Sequence, residues 1–201
     1  MNKLSRKAVR NISITTCGVF AALFLASGIF FYLVTGTVSS DEWGVERIKP
    51  TSALASGLDE KVDDLIERID TASSGTELQI TITQEEATSK LDEMARDGDI
   101  AIYTENPQVY FGQGTVCASA RISLGVEMDT AVQVEIRAKN GKADFTIKRL
   151  EFGRLAIPKT LINNIMTAVE HELVKRWDAS PVTVEEIDIR QGVMTITMVK
   201  K

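Results

Sequence analysis

The chain has 201 residues, 44% of them hydrophobic and 25% charged, with 23 basic against 28 acidic side chains. Four of the bases precede residue 12, which leaves 19 against 28 acids and a net charge of −9 for the remainder. A body that acidic is a poor partner for nucleic acid or for direct adsorption on anionic lipid, and two cysteines rule out a disulfide framework.

No charged side chain occurs from Ile12 to Val34. As a helix rising about 1.5 Å per residue, that run spans about 34 Å, enough for a hydrocarbon core of about 30 Å. Residues 12–34 are therefore expected to form a transmembrane helix, since in lipid the backbone must satisfy its own hydrogen bonds. Lys3, Arg6, Lys7 and Arg10 precede it, and Asp41 and Glu42 open the far side. Positive residues stay inside, so residues 1–11 are a cytoplasmic basic tail and the bulk of a single-pass cell-membrane protein is extracytoplasmic. The apolar run exceeds the roughly 7–15 residues of a signal-peptide core, so an uncleaved anchor is expected. Cys17 in the membrane and Cys117 outside it cannot pair within one chain. Gly18, Ala22 and Ala26 lie four apart and make a small-residue ridge, which points to a homodimer through the anchor.

Residues 35–76 read as a juxtamembrane tether, with 35–56 rich in Thr, Ser, Gly and Ala. Within it Leu58, Val62, Leu65, Ile66 and Ile69 recur at helical spacing, and Thr-Ala-Ser-Ser-Gly at 71–75 breaks the helix. Its acidic residues favour packing on the domain over lying on the membrane. The folded domain is expected over 77–201. Leu78, Ile80 and Ile82 alternate as a strand, and Thr83-Gln84-Glu85-Glu86 is a capping box. That box opens a helix to about Ala95, with Ala87, Leu91 and Met94 inward. An extended stretch starts at Ile100 and Ile102, and the period is two from Val109 to Phe152, with Asn140-Gly141 as a hairpin turn. Pro158 starts a second, long helix whose stripe is Leu161, Ile162, Ile165, Val169, Leu173 and Trp177. A last hairpin turns at Gln191-Gly192. The fold class is α+β: an N-terminal transmembrane helix followed by a curved antiparallel sheet packed on a long helix.

The strand and Thr-x-x-Glu opening, the Asn-Gly hairpin, the segment from Leu150 to Pro158 and the closing hairpin from Ile187 to Ile196 appear in this order. The combination resembles bacterial membrane-anchored proteins of the YpmS-like and LmeA-like groups, which look like relatives of the tubular lipid-binding domains. The similarity covers roughly residues 77–201, with the anchor in the YpmS-like case, and rests on short, mostly apolar motifs. It implies a lipid or other apolar ligand held between sheet and helix. Lining residues would be Phe111, Val134, Ile136, Phe145, Ile147, Phe152, Ile165, Val169 and Leu173, each of which also suits a filled core.

Chemistry for catalysis is thin. The one histidine, His171, stands in Glu-His-Glu-Leu-Val-Lys, where Lys175 occupies the place of a second zinc ligand. No Gly-x-Ser-x-Gly elbow, phosphate loop or dinucleotide fingerprint is present, so no enzyme, metal or cofactor is expected. Three functions remain in view: a membrane-tethered lipid-binding module without catalysis, an envelope scaffold with a dry core that binds protein, and a lipid hydrolase.

Overall fold

The computed structural model describes residues 46–99, 103–123, 127–153, 155–158, 160 and 180–201. The expected transmembrane segment and its Gly18, Ala22 and Ala26 ridge lie outside these residues, as does the body of the long helix expected after Pro158. Among the described residues no helix is long and apolar enough to cross a membrane.

The first helix, α1 (Ser52–Thr71), starts earlier than its apolar repeat, because Thr51 caps it by accepting a hydrogen bond from the Leu54 amide. Ala55, Leu58 and Leu65 are buried on its inner face. Leu65 packs with Leu78, Ile80, Val182 and Met198, so the helix is part of a core rather than a loose connector. Burying one leucine is worth about 1.5–3 kcal/mol, against at most about 0.5 kcal/mol for an exposed helical ion pair such as Asp64–Arg68. Packing holds α1 in place.

Strand β1 (Glu77–Thr83) runs straight into α2 (Gln84–Asp97). The capping box read from Thr83 and Glu86 is formed: the Glu86 amide donates to Thr83 Oγ1 at 3.2 Å, and the Thr83 amide to Glu86 Oε2 at 3.0 Å. Gly98, in the left-handed region at φ 79°, ends the helix. Glu86 also takes the Lys61 ammonium of α1 at 2.7 Å, which ties the two helices together. Burial raises the Glu86 carboxyl, but Lys61 and the Thr83 amide outweigh it and hold the group below the usual carboxylate range.

Strands β2 (Tyr103–Gly112), β3 (Thr115–Ser123), β4 (Glu127–Lys139), β5 (Lys142–Phe152) and β6 (Leu155–Ala156) follow as an antiparallel meander in sequence order. Strands β7 (Val182–Arg190) and β8 (Val193–Lys200) do not extend it. They pair with β1 in a second antiparallel sheet of order β1-β8-β7. The described fold is thus α+β with two helices and two antiparallel sheets, where the sequence reading has one sheet.

Main-chain hydrogen bonds join the sheets at their turns. The Gly114 amide donates to Ile189 O (3.0 Å), the Val184 amide to Gly141 O (3.0 Å) and the Gly192 amide to Phe111 O (2.9 Å). Asn140 and Gly141 both have positive φ, 52° and 74°, as a tight hairpin turn with right-handed strand twist requires. Gly141 has a second reason to lack a side chain: a Cβ there would meet Thr183 Cγ2 at 2.6 Å.

Two outcomes follow from these contacts. Gly141→Ala should cost about 1–3 kcal/mol in urea unfolding, because it adds left-handed strain and a collision at the sheet junction. Gly57→Ala, in the middle of α1 with nothing near its Cβ, should instead add about 0.5–1 kcal/mol. Equal effects of the two would remove the close approach from the account. The lowered Glu86 carboxyl gives stability that is full above the usual glutamate value of 4.5 and lost as pH falls through the folded value. Urea midpoints on either side of pH 4.5 should therefore drop less in Glu86→Gln than in the parent chain.

Candidate functional site

Strand register decides what each face of the five-stranded sheet carries. Phe111 pairs with Val116, Val116 with Val134, and Val134 with Ile147. One row further, Val109, Ala118, Val132 and Leu150 stand in line, and Ile136 pairs with Phe145. Paired residues share a face, so these rows form one continuous apolar surface. Phe152 joins it opposite Thr130. Six of the nine expected lining residues (Phe111, Val134, Ile136, Phe145, Ile147 and Phe152) are thereby brought together, while Ile165, Val169 and Leu173 lie outside the described residues.

Burial divides the six. Phe111 is 4% exposed and forms a core cluster with Val109 and Ile189, against which Ile136, Val116, Ala118, Ala87 and Leu91 pack. Phe111 is a core residue, and Ile136 is half-buried against its cluster. Val134, Phe145, Ile147 and Phe152 continue the same face beyond that cluster and remain partly accessible. Large apolar side chains in that state have surface left to bury.

A phase shift keeps the face intact. Ile147 and Leu150 are three residues apart, yet both stand on the apolar side, because β5 carries an extra residue where Gln133 pairs with Arg149 and Val134 with Ile147. Lys148 and Arg149 both turn to the opposite, charged side. There Lys148 pairs with Glu135 at 2.5 Å, Arg149 with Glu151 at 2.5 Å, Arg121 with Asp129 at 2.9 Å, and Arg137 also pairs with Glu135. Lys148 and Arg137 hold the Glu135 carboxyl below its usual range. Exposed pairs of this kind stabilise little and serve mainly to keep that face in water.

One patch of the charged side is covered. Ile48 packs there on Tyr110 and Cys117. The Gln108 side chain, 6% exposed, clamps the Ile48 backbone: its Oε1 accepts from the Ile48 amide at 2.8 Å, and its Nε2 donates to Ile48 O at 3.1 Å. Tyr110 Oη donates to the same Oε1 at 3.2 Å. Burial pushes the Cys117 thiol and the Tyr110 hydroxyl above their usual values. Neither Ile48 nor Gln108 stands out in sequence. Ile48 is a lone apolar residue between Arg47 and Lys49, and a glutamine in a strand carries no signal of what it binds.

Other candidates are sparse. An open cleft of about 420 Å³ lies between the end of α2 and the start of β2, lined by Asp92, Arg96, Tyr103 and Glu105 among others. Four of its polar groups bond one another: Arg96 pairs with Asp92 at 3.0 Å, and Tyr103 donates to Glu105 at 2.8 Å. No cluster of three His, Cys, Asp or Glu side chains able to hold a metal occurs among the described residues. His171 lies outside them.

With the thiol buried under Ile48, Ile48→Ala should speed maleimide labelling of Cys117 about tenfold in the otherwise folded chain. Mass spectrometry of the labelled peptide reads this out, and an unchanged rate would mean that something other than Ile48 shields the thiol. Compared with known proteins, the chain matches no family model, no curated protein and no solved structure.

Proposed function

We propose that the protein is a membrane-tethered extracytoplasmic module that holds a lipid or another apolar ligand without catalysis. The observation that carries this reading is the apolar sheet face that runs past its own core: Val134, Phe145, Ile147 and Phe152 share a surface and none is fully buried. In the proposed arrangement the sheet curves around the amphipathic helix expected after Pro158, and an acyl chain lies between them. Residues 12–34 would anchor the domain beside the bilayer that supplies it. Apolar pockets with few polar groups suit ligands of this class, and shielding an acyl chain needs no bond to be made or broken.

The test is lipid extraction and native mass spectrometry on the full-length chain released from detergent. The expected result is co-purified lipid near one per chain. Phe145→Ser and Ile147→Asn, with far-ultraviolet circular dichroism unchanged, should retain about five- to thirty-fold less, the equivalent of about 1–2 kcal/mol of lost apolar contact. A clean ligand-free mass, with no uptake on adding phospholipid, overturns the reading and leaves an envelope scaffold that binds protein.

A further inference from the structure

Asn140-Gly141 is the one Asn-Gly pair in the sequence, and it sits where the two sheets meet. Lys139 and Lys142 pair across it, so the loop of the β4–β5 hairpin is these two residues alone. Asn140 is exposed, and among the described residues neither its side-chain amide nor the Gly141 amide makes a hydrogen bond. The Gly141 carbonyl accepts from the Val184 amide of β7 at 3.0 Å. A glycine nitrogen, with no side chain beside it, is the least hindered nucleophile a main chain offers to a preceding asparagine.

The turn holds these two reactants apart. With φ of 52° at Asn140 and 74° at Gly141 it is of type I′. In such a turn ψ of the first residue is about +30°, which faces the second nitrogen away from the first side chain. Attack on Asn140 Cγ therefore needs a large rotation about ψ, and that rotation moves the peptide group between Asn140 and Gly141. The turn is already pressed against β7, where a Cβ on Gly141 would lie 2.6 Å from Thr183 Cγ2. Hairpin and β7 must part first.

We propose that Asn140 is a self-modification site guarded by the sheet junction, and that its isoaspartyl product locks the junction open. When the turn leaves β7, the Gly141 nitrogen gives up its proton and attacks Asn140 Cγ. The N–Cγ bond forms, the Cγ–Nδ2 bond breaks, and Nδ2 departs with a proton as ammonia. Water then opens the cyclic imide. Cleavage at the side-chain carbonyl gives aspartate, with the main chain as before. Cleavage at the main-chain carbonyl gives isoaspartate, whose main chain runs through Cβ and Cγ and is one atom longer. A two-residue turn with both φ positive has no place for that atom while Gly141 O stays on Val184 and Thr183 stays beside it. Ile136, further along β4, packs against the cluster of Ile189 on β7, so the change reaches the covered part of the apolar face.

Incubation of the full chain in mildly alkaline buffer, with and without denaturing urea, tests this. Mass spectrometry follows the peptide that spans Asn140, and methylation by a protein-isoaspartate methyltransferase identifies the isoaspartyl form. Ammonia loss at Asn140 should be at least about tenfold slower in the folded chain. Once isoaspartate has formed, hydrogen exchange at the Val184 amide should speed up by about tenfold or more, and the urea midpoint should fall. Asn140→Asp, which carries the new charge without the extra atom, should match the parent chain in both measurements. Equal rates with and without urea would remove the guard. An isoaspartyl chain that keeps its Val184 protection and its midpoint would remove the lock, and so would an Asn140→Asp chain that loses them equally.

Discussion

The two sheets are held to one another by main-chain hydrogen bonds between turns and strand edges. An unpaired buried amide or carbonyl costs about 1–3 kcal/mol, so a turn docked against a strand edge must aim its groups correctly. Gly114, Gly141 and Gly192 do this from the left-handed region, at φ of 80°, 74° and 81°. Those bonds satisfy the Val184 amide and the Ile189 carbonyl of β7 and the Phe111 carbonyl of β2. The same demand explains the polar buried face of α2. Thr88 is 0% and Ser89 1% exposed, yet Thr88 answers both main-chain groups of Val109, and Ser89 Oγ accepts from the Thr51 amide while donating to Glu85 O. The helix acts as a surrogate strand along β2, with side-chain oxygens in place of a ladder.

Seen from the large sheet, this construction frees one face for apolar packing and leaves the other to charge. The apolar face begins inside the core at Val109 and Phe111 and ends at partly accessible Phe145, Ile147 and Phe152. The charged face carries ion pairs that add little stability, and part of it is covered where Ile48 is clamped by Gln108. The backbone entering α1 is thereby fixed to the same sheet whose far side carries the apolar surface.

Local signals in the sequence located most elements. The capping box at Thr83 and Glu86, the Asn140-Gly141 turn and the alternation from Val132 to Ile147 all report interactions between residues close in the chain, and each appears in the structure. The partition into two sheets was not legible, because pairing of β1 with β8 joins residues more than a hundred positions apart and alternation alone does not choose a partner. The sequence puts Ala87, Leu91 and Met94 on the inner face of α2; Ala87 and Leu91 pack on the core cluster, but the most buried positions are Glu86, Thr88 and Ser89. Hydropathy cannot see a hydroxyl whose partner is a distant strand edge. The six candidate lining residues do share one face. Strict period two would turn Phe152 away from Phe145 and Ile147, and only the extra residue at Lys148 restores it. The pattern also could not give the boundary between core and accessible surface.

The extra residue at Lys148 has a wider meaning for the shape of that surface. A strand bends and twists more sharply where two residues oppose one. Without Lys148, Ile147 would adjoin Arg149 and the alternation would be regular: Phe145, Ile147, Leu150 and Phe152 would keep their face, and the strand would simply straighten. Curvature and hydrophobic composition are therefore written by different residues. The extra residue points its side chain away from the apolar surface, to Glu135 on the other side, so the path of β5 can be changed by adding or removing it without altering a single residue that lines that surface.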